Sequence, residues 1–281
     1  MSGWKRSYEI VRSNTKMLLM KHLSRWQAAT SDCPISVVAI ETTQHCNRRC
    51  HYCPVSFDAK PVRAMEPGVF REIIGQLASI RFHGRLTYHF YNEPLLNADL
   101  EKLVAYAARY LSGVDHVIYS NGDLLTTERA ESLFAAGVTK FVVTDHGGKE
   151  LTEPVLRAKR RPRSLGSRIQ FRRYTPDTAL FNRGGLVKVE NQRKLKYCAY
   201  PAYELIIDVD GNVILCCNDY YGSHQFGNVM EMPILDIWNS ASMSQLRNRL
   251  LRGHFDLPIC QVCAGIPVSG GNQPLKISRP H

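Results

Sequence analysis

Four short apolar runs, spaced by helical or turn segments, organise the first half of the chain. "ISVVAIE" (35–41), "RLTYHFY" (85–91), "HVIYSNG" (116–122) and "KFVVTDH" (140–146) have the length and the β-branched and aromatic content of strands. Between them "PGVFREIIGQLASI", "ADLEKLVAYAARYL" and "TTERAESLFAAG" carry apolar residues at helical spacing, with Pro67 marking a helix start and Gly137 a stop. Such alternation calls for parallel strands covered by helices. The expected fold class is α/β, an α/β barrel or part of one.

After about residue 190 the character changes. "YELIIDVDGNVILCCND" reads as a β-hairpin turning at Asp210-Gly211-Asn212. "MPILDIW" and "SMSQLRNRLLRG" look helical, the second stopped by Gly253. The expected organisation is an N-terminal helical extension (1–34), a barrel region (35–190), a small C-terminal module of hairpin plus helix (191–265) and a Gly- and Pro-rich tail (266–281). Tyr8, Val11, Leu18 and Leu19 give the extension an amphipathic spacing. No internal repeat is visible.

The nine cysteines are an odd number, which argues against the complete disulfide framework of a secreted protein. No run of about 18 apolar residues and no small-residue cleavage site in the first 26 residues stand out, so a cytoplasmic, membrane-free protein is expected. Cys33 stands apart and is expected to be structural; the others form two groups. Cys46, Cys50 and Cys53 lie in "CNRRCHYC", directly after the first strand. Three thiolates on one loop suit an iron–sulfur cluster. Three ligands leave one iron of a four-iron cluster open, the arrangement of a catalytic metal site. A zinc knuckle, with His45 or His51 as fourth ligand, is the alternative. Cys198, Cys216, Cys260 and Cys263 form the second group, and four thiolates would close a cluster completely, as an electron relay or structural site. Cys217 is left over: neighbours on a strand point to opposite faces, so Cys216 and Cys217 are not expected to serve one site.

The C-x3-C-x2-C spacing after the first strand of an α/β chain resembles the signature of radical S-adenosylmethionine (SAM) enzymes. The resemblance implies a partial (β/α)6 TIM-like barrel, with the open iron chelating SAM and its reductive cleavage yielding a 5′-deoxyadenosyl radical. Tyr52 matches the aromatic position near adenine. "YNEP" (91–94) stands where the family's loop meets the SAM amino group, with Asn92 in place of a glycine beside Glu93. "YSNG" (119–122) resembles the segment near the ribose, which implicates Ser120 and Asn121. The second cysteine group resembles a twitch domain, an auxiliary-cluster module. Two [4Fe-4S] clusters, SAM and an electron donor such as flavodoxin or ferredoxin are thereby implied.

"YHFYNEPLL", "IYSNGD", "VTDHGG" and "NRGG" further resemble segments of the twitch-bearing radical SAM enzymes of aminoglycoside biosynthesis, over roughly residues 37–263. This implies a sugar, aminoglycoside or aminocyclitol substrate between barrel and module, with Arg183 facing it and Tyr91 and Tyr119 beside it. For Arg183 the alternative is a charge pair. Where dehydrogenases of that group have a phenylalanine after the hairpin cysteine, this chain has Cys217. A radical on a carbinol carbon either loses a proton and an electron, giving a ketone, or collects a hydrogen atom from a thiol on its other face. The expected function is therefore a radical SAM epimerase inverting a carbinol carbon with hydrogen return from Cys217. The alternatives are a dehydrogenase and a peptide-modifying maturase, the latter disfavoured because no separate peptide-recognition domain is apparent. Simple packing of Cys217, as a small and readily buried hydrophobe, and alternative ligation of the cluster are the other two readings.

The formal charge of +11 is concentrated in the acid-free stretch "RAKRRPRSLGSRIQFRRY" (157–174). A solvated loop and a phosphate or nucleic-acid contact are the two readings, and the absence of any RNA-binding motif favours the loop. A basic protein repels cationic aminoglycosides at long range. Either acidic residues line the pocket, with Asp145 and Asp219 as candidates, or the substrate is neutral or phosphorylated.

Overall fold

A computed structural model describes residues 18, 19, 22, 33–146, 168–174, 181–189, 192 and 194–267. The expectations for Tyr8, Val11, the stretch 157–167 and the tail from 268 lie outside these residues. Among the described residues no helix is long and apolar enough to cross a membrane.

One eight-stranded sheet organises the described residues. Its strands are β1 (Val37–Ile40), β2 (Arg85–Thr87), β3 (Asp115–Ser120), β4 (Lys140–Asp145), β5 (Ile169–Arg173), β6 (Glu204–Ile207), β7 (Asn212–Ile214) and β8 (Gln225–Asn228). They lie in the order β5-β4-β3-β2-β1-β6-β7-β8. Pairings from β5 through β1 to β6 are parallel, and β7 and β8 add antiparallel strands. The result is a partial α/β barrel of six parallel strands extended by a small strand-and-helix module.

Helices α1 (Pro67–Ser79), α2 (Leu100–Tyr110) and α3 (Thr127–Ala136) cover the sheet. On α1 the buried residues Phe70, Ile73, Ile74 and Leu77 fall at i, i+3, i+4 and i+7, the spacing of one apolar stripe. Thr126 caps α3 by accepting from the Arg129 N–H, and Gly137, at φ 123°, ends it. A Cβ on Gly137 would stand 2.5 Å from that of Ala108 on α2, so a glycine lets the two helices approach. These faces meet the helix-facing residues of β1 to β4 in one continuous core that includes Val38, Leu86, Ile118 and Phe141.

Two features differ from the sequence expectation. The basic stretch is not all loop: Ile169–Arg173 forms β5, which pairs along its whole length with β4. Its short Gln- and Arg-containing sequence, IQFRR, conceals a strand whose neighbour supplies the apolar context. The hairpin is present, yet its first strand belongs to the main sheet, with Val37 to Ile40 in register with Glu204 to Ile207. Beyond it come α4 (Tyr200–Tyr203, leading into β6), α5 (Ile234–Asn239), α6 (Ala241–Leu251) and α7 (Pro258–Ala264). Helix α7, which carries the last two cysteines, was not apparent from the sequence because Pro258 and seven residues give no periodic signal.

Candidate active site

The first cysteine loop begins where β1 ends. Glu41 is fully buried there, its carboxylate accepting from Lys60 Nζ at 3.0 Å and from Gln44 Nε2 at 3.1 Å. The loop is shaped by its own backbone: Cys53 N–H donates to Cys50 O at 2.9 Å, and the Arg49 guanidinium to Cys46 O at 2.7 Å. Arg48 pairs with Asp123 at 2.5 Å, fastening the loop to the chain after β3. Burial pushes the Cys46 thiol up to about 11, and the neighbouring Cys53 and Cys50 add to the shift. Such crowded, desolvated thiols ionise only when a cation takes them as thiolates.

Glu93 is the hub of the adjoining wall. Its buried carboxylate accepts from Leu95 N–H at 3.1 Å, Ser120 Oγ at 2.8 Å and Asn121 N–H at 2.7 Å. Burial raises its pKa, and these donors oppose the rise. "YNEP" and "YSNG", read separately in the sequence, are thus one hydrogen-bonded unit. Asn92 accepts from Phe90 N–H at 2.7 Å, and Asn121 Nδ2 donates to Asn47 Oδ1 at 2.8 Å, reaching the cysteine loop. Tyr52 lies 4.0 Å from the ring of Tyr174 and its hydroxyl meets His146 Nδ1. Neither His146 nor Tyr174 was singled out from sequence.

These groups border a cleft of about 510 Å³ that runs from Cys46, Cys50 and Cys53 into the barrel interior. Its far wall brings together Tyr91, Tyr119, Arg183 and Cys217. Tyr91 donates its hydroxyl to Cys217 O at 2.8 Å, and the Arg183 guanidinium lies 5.8 Å from the Tyr91 ring centre. Arg183 Nη1 donates to Asn218 Oδ1 at 3.3 Å. Tyr119 stacks on His89 at 4.5 Å. Burial, with the nearby Glu204 carboxylate, raises the Cys217 thiol well above its ordinary pKa.

The acidic candidates stand elsewhere. Asp145 pairs with Arg173 at 3.2 Å, at the outer end of β4. Asp219 is fully buried and accepts from Ser223 N–H at 2.9 Å, Ser223 Oγ at 2.8 Å and His224 N–H at 3.0 Å, closing the turn after the hairpin. Neither lines the cleft, whose carboxylates are Glu93 and Glu204, alongside Arg48, Arg85, Arg172 and Arg183. A charge in the sequence carries no record of which way its loop turns, and both aspartates are used by backbone or a neighbouring arginine.

Cys216 and Cys217 follow β7 in a turn rather than on the strand itself, yet they face different cavities. Cys216 lines an apolar pocket with Cys198, Cys260 and Cys263. Cys260 and Cys263 are three apart on α7 and so share one of its faces. Asn218 N–H points to Cys216 Sγ at 3.4 Å and Asn218 Nδ2 to Cys263 Sγ at 3.6 Å. Burial drives Cys198 up to about 11 and Cys263 to about 12, with further repulsion from neighbouring groups. Four such thiols in an apolar pocket with amide donors to sulfur fit an iron–sulfur core. Among the described residues no three His, Cys, Asp or Glu side chains converge as a single metal ion would need.

The sheet, the cysteine loop and the shared loop unit define a class. The radical SAM superfamily matches residues 40–171 and an iron–sulfur cluster-binding domain matches residues 198–264. The chain belongs to the radical SAM superfamily and is an enzyme of its auxiliary-cluster branch. It is 31% identical over 250 residues to the S-adenosyl-L-methionine-dependent 2-deoxy-scyllo-inosamine dehydrogenase of Niallia circulans, spanning 85% of this chain and 96% of that one. Among solved structures it is similar to BtrN in complex with AdoMet and 2-DOIA, at 30% identity and a TM-score of 0.76, covering 85% of this chain and 96% of that one. A likeness to anSMEcpe with bound AdoMet, at 12% identity and TM-score 0.55 over 77% of this chain and 80% of the other, concerns the fold alone.

Proposed function

We propose that the protein oxidises a secondary alcohol of an aminocyclitol or sugar to a ketone. The observation that carries this reading is the similarity to the dehydrogenase over 96% of that enzyme's length, which favours oxidation over the epimerisation expected from Cys217 alone. Cys46, Cys50 and Cys53 would hold a [4Fe-4S] cluster that, with SAM, would supply radical hydrogen abstraction, and Cys198, Cys216, Cys260 and Cys263 would hold a second [4Fe-4S] cluster that would supply an electron acceptor. The chain's own residues bind and orient. Asn92 and the Glu93-Ser120-Asn121 unit shape the SAM side, with Tyr52 as the aromatic wall for adenine. Arg183, Tyr91 and Tyr119 hold the substrate on the opposite side, where the buried guanidinium orients a hydroxyl oxygen. We assign the barrel to 35–190, completed by β6 from the auxiliary module at 191–265, a cytoplasmic location, and flavodoxin or ferredoxin as electron donor.

A second reading, epimerisation, is favoured by one observation: the Cys217 thiol lines the cleft. There the S–H bond would break as a new C–H bond forms on the opposite face, and one electron from the donor together with one proton from solvent would restore the S–H. A variant tells the two apart. Cys217→Ala is expected to make the same ketone at a rate within about threefold of the parent; loss of an inverted product and appearance of ketone only in the variant would establish epimerisation instead.

A further inference from the structure

On the inner face of β2 and of the residues that directly follow it, Arg85, Thr87 and His89 turn toward the cleft. The outer face shows what a satisfied pair looks like: Tyr88 meets His116 Nδ1 at 2.7 Å inside the core. On the inner face Thr87 Oγ1 and His89 Nδ1 are buried without any hydrogen-bond partner among the described residues, and so is Arg183 Nε across the cleft. Thr87 is 1% exposed. Buried polar atoms left unpaired are costly and rare, so three around one cleft point to a polar ligand that completes them.

We propose that Thr87 and His89 are specificity-determining residues that hydrogen-bond hydroxyl groups of the substrate, opposite Arg183. This rests on the alcohol-oxidation reading and deepens it. Depth separates Thr87 from the SAM side. Thr87 lies within the ladder, paired with Ala39 of β1 and Val117 of β3, whereas the cysteine loop and the Asn92–Glu93 turn follow the strand ends. The chemistry fits hydroxyls: a threonine hydroxyl and a neutral imidazole each donate and accept, as a hydroxyl does. Burial depresses the His89 pKa to about 4, so the ring is neutral at physiological pH and adds no charge to an already cationic cleft. Tyr119 stacked on His89 at 4.5 Å fixes the plane of the ring.

The test uses the anaerobically reconstituted holoenzyme and variants Thr87→Val, Thr87→Ser and His89→Gln. Affinity for SAM and for 2-deoxy-scyllo-inosamine, together with a set of analogues each lacking one hydroxyl, is measured by calorimetry. KM is read from sugar-dependent 5′-deoxyadenosine. Thr87→Val keeps the shape and removes the hydroxyl, and is expected to weaken sugar binding about tenfold while SAM affinity stays put. Thr87→Ser is expected to restore it to within about threefold. One deoxy analogue should bind Thr87→Val and the parent equally, which a merely structural residue would not produce. Unchanged sugar affinity in Thr87→Val and His89→Gln, or a parallel loss of SAM affinity, overturns the assignment. If the parent protein binds none of these sugars, the alcohol-oxidation reading itself fails and takes this inference with it.

Discussion

Cys216 and Cys217 are adjacent in the chain but line separate cavities, one apolar and one polar. Single residues decide the site in this way at several points. The Glu93 carboxylate joins two loops through three donors, so Glu93→Ala is expected to cost about 1.5–3 kcal/mol of stability in a urea titration, because two backbone N–H groups and Ser120 lose their acceptor. His89 carries a pH signature. Its folded pKa, near 4, lies below the ordinary 6.5, so between those values the unfolded chain binds the extra proton. Stability contributed by the neutral ring is complete above about pH 6.5 and is lost as pH falls toward 4. Chemical denaturation across pH 4–7 should accordingly show a shallower slope for His89→Gln than for the parent. The cysteine groups were legible because their spacing alone encodes a ligand set. The polar triplet Arg85, Thr87 and His89 was present as an i, i+2, i+4 pattern on a predicted strand, but only barrel curvature reveals that this face looks inward on a cleft.

The element that links the two cysteine sites is the 3-10 turn Arg183–Gly185, packed on α7. Gly184 adopts φ +66°, and a Cβ there would meet Ile259 Cγ1 of α7 at 2.7 Å. Gly184→Ala is therefore expected to destabilise the protein by about 1–3 kcal/mol, from strain and overpacking together. It should also weaken sugar binding by displacing Arg183. Gly68→Ala on α1, with nothing within 4 Å of the added methyl, should leave stability unchanged or slightly raised by comparison. Helix α7 carries two of the proposed auxiliary ligands, and Cys260→Ala with Cys263→Ala should lower bound iron from about eight to about four per chain. An unchanged iron content would remove Cys260 and Cys263 from the ligand set. Helices α1 to α3 were legible from caps and periodicity. Strand β5 was not, since its Arg-rich pattern reads as solvated until β4 is placed beside it, and α7 was too short to announce itself.

Across the whole molecule the formal charge of +11 favours an acidic partner. Reduction by flavodoxin should slow several-fold between about 50 and 300 mM salt, while reduction by dithionite should change little, because screening acts on the encounter and not on the cleft. The cleft itself holds more arginine than carboxylate, so recognition there rests on hydroxyls and a neutral histidine rather than on bulk charge. The most direct measurement of the central claim is the mass of the product formed in deuterated water. The reconstituted enzyme is incubated with SAM, reductant and 2-deoxy-scyllo-inosamine or related aminocyclitols, and exchangeable deuterium is washed back before weighing. Alcohol oxidation predicts a product two mass units lighter, formed together with 5′-deoxyadenosine. A product one unit heavier would contradict it, since a solvent-derived hydrogen would then have reached carbon through the Cys217 thiol.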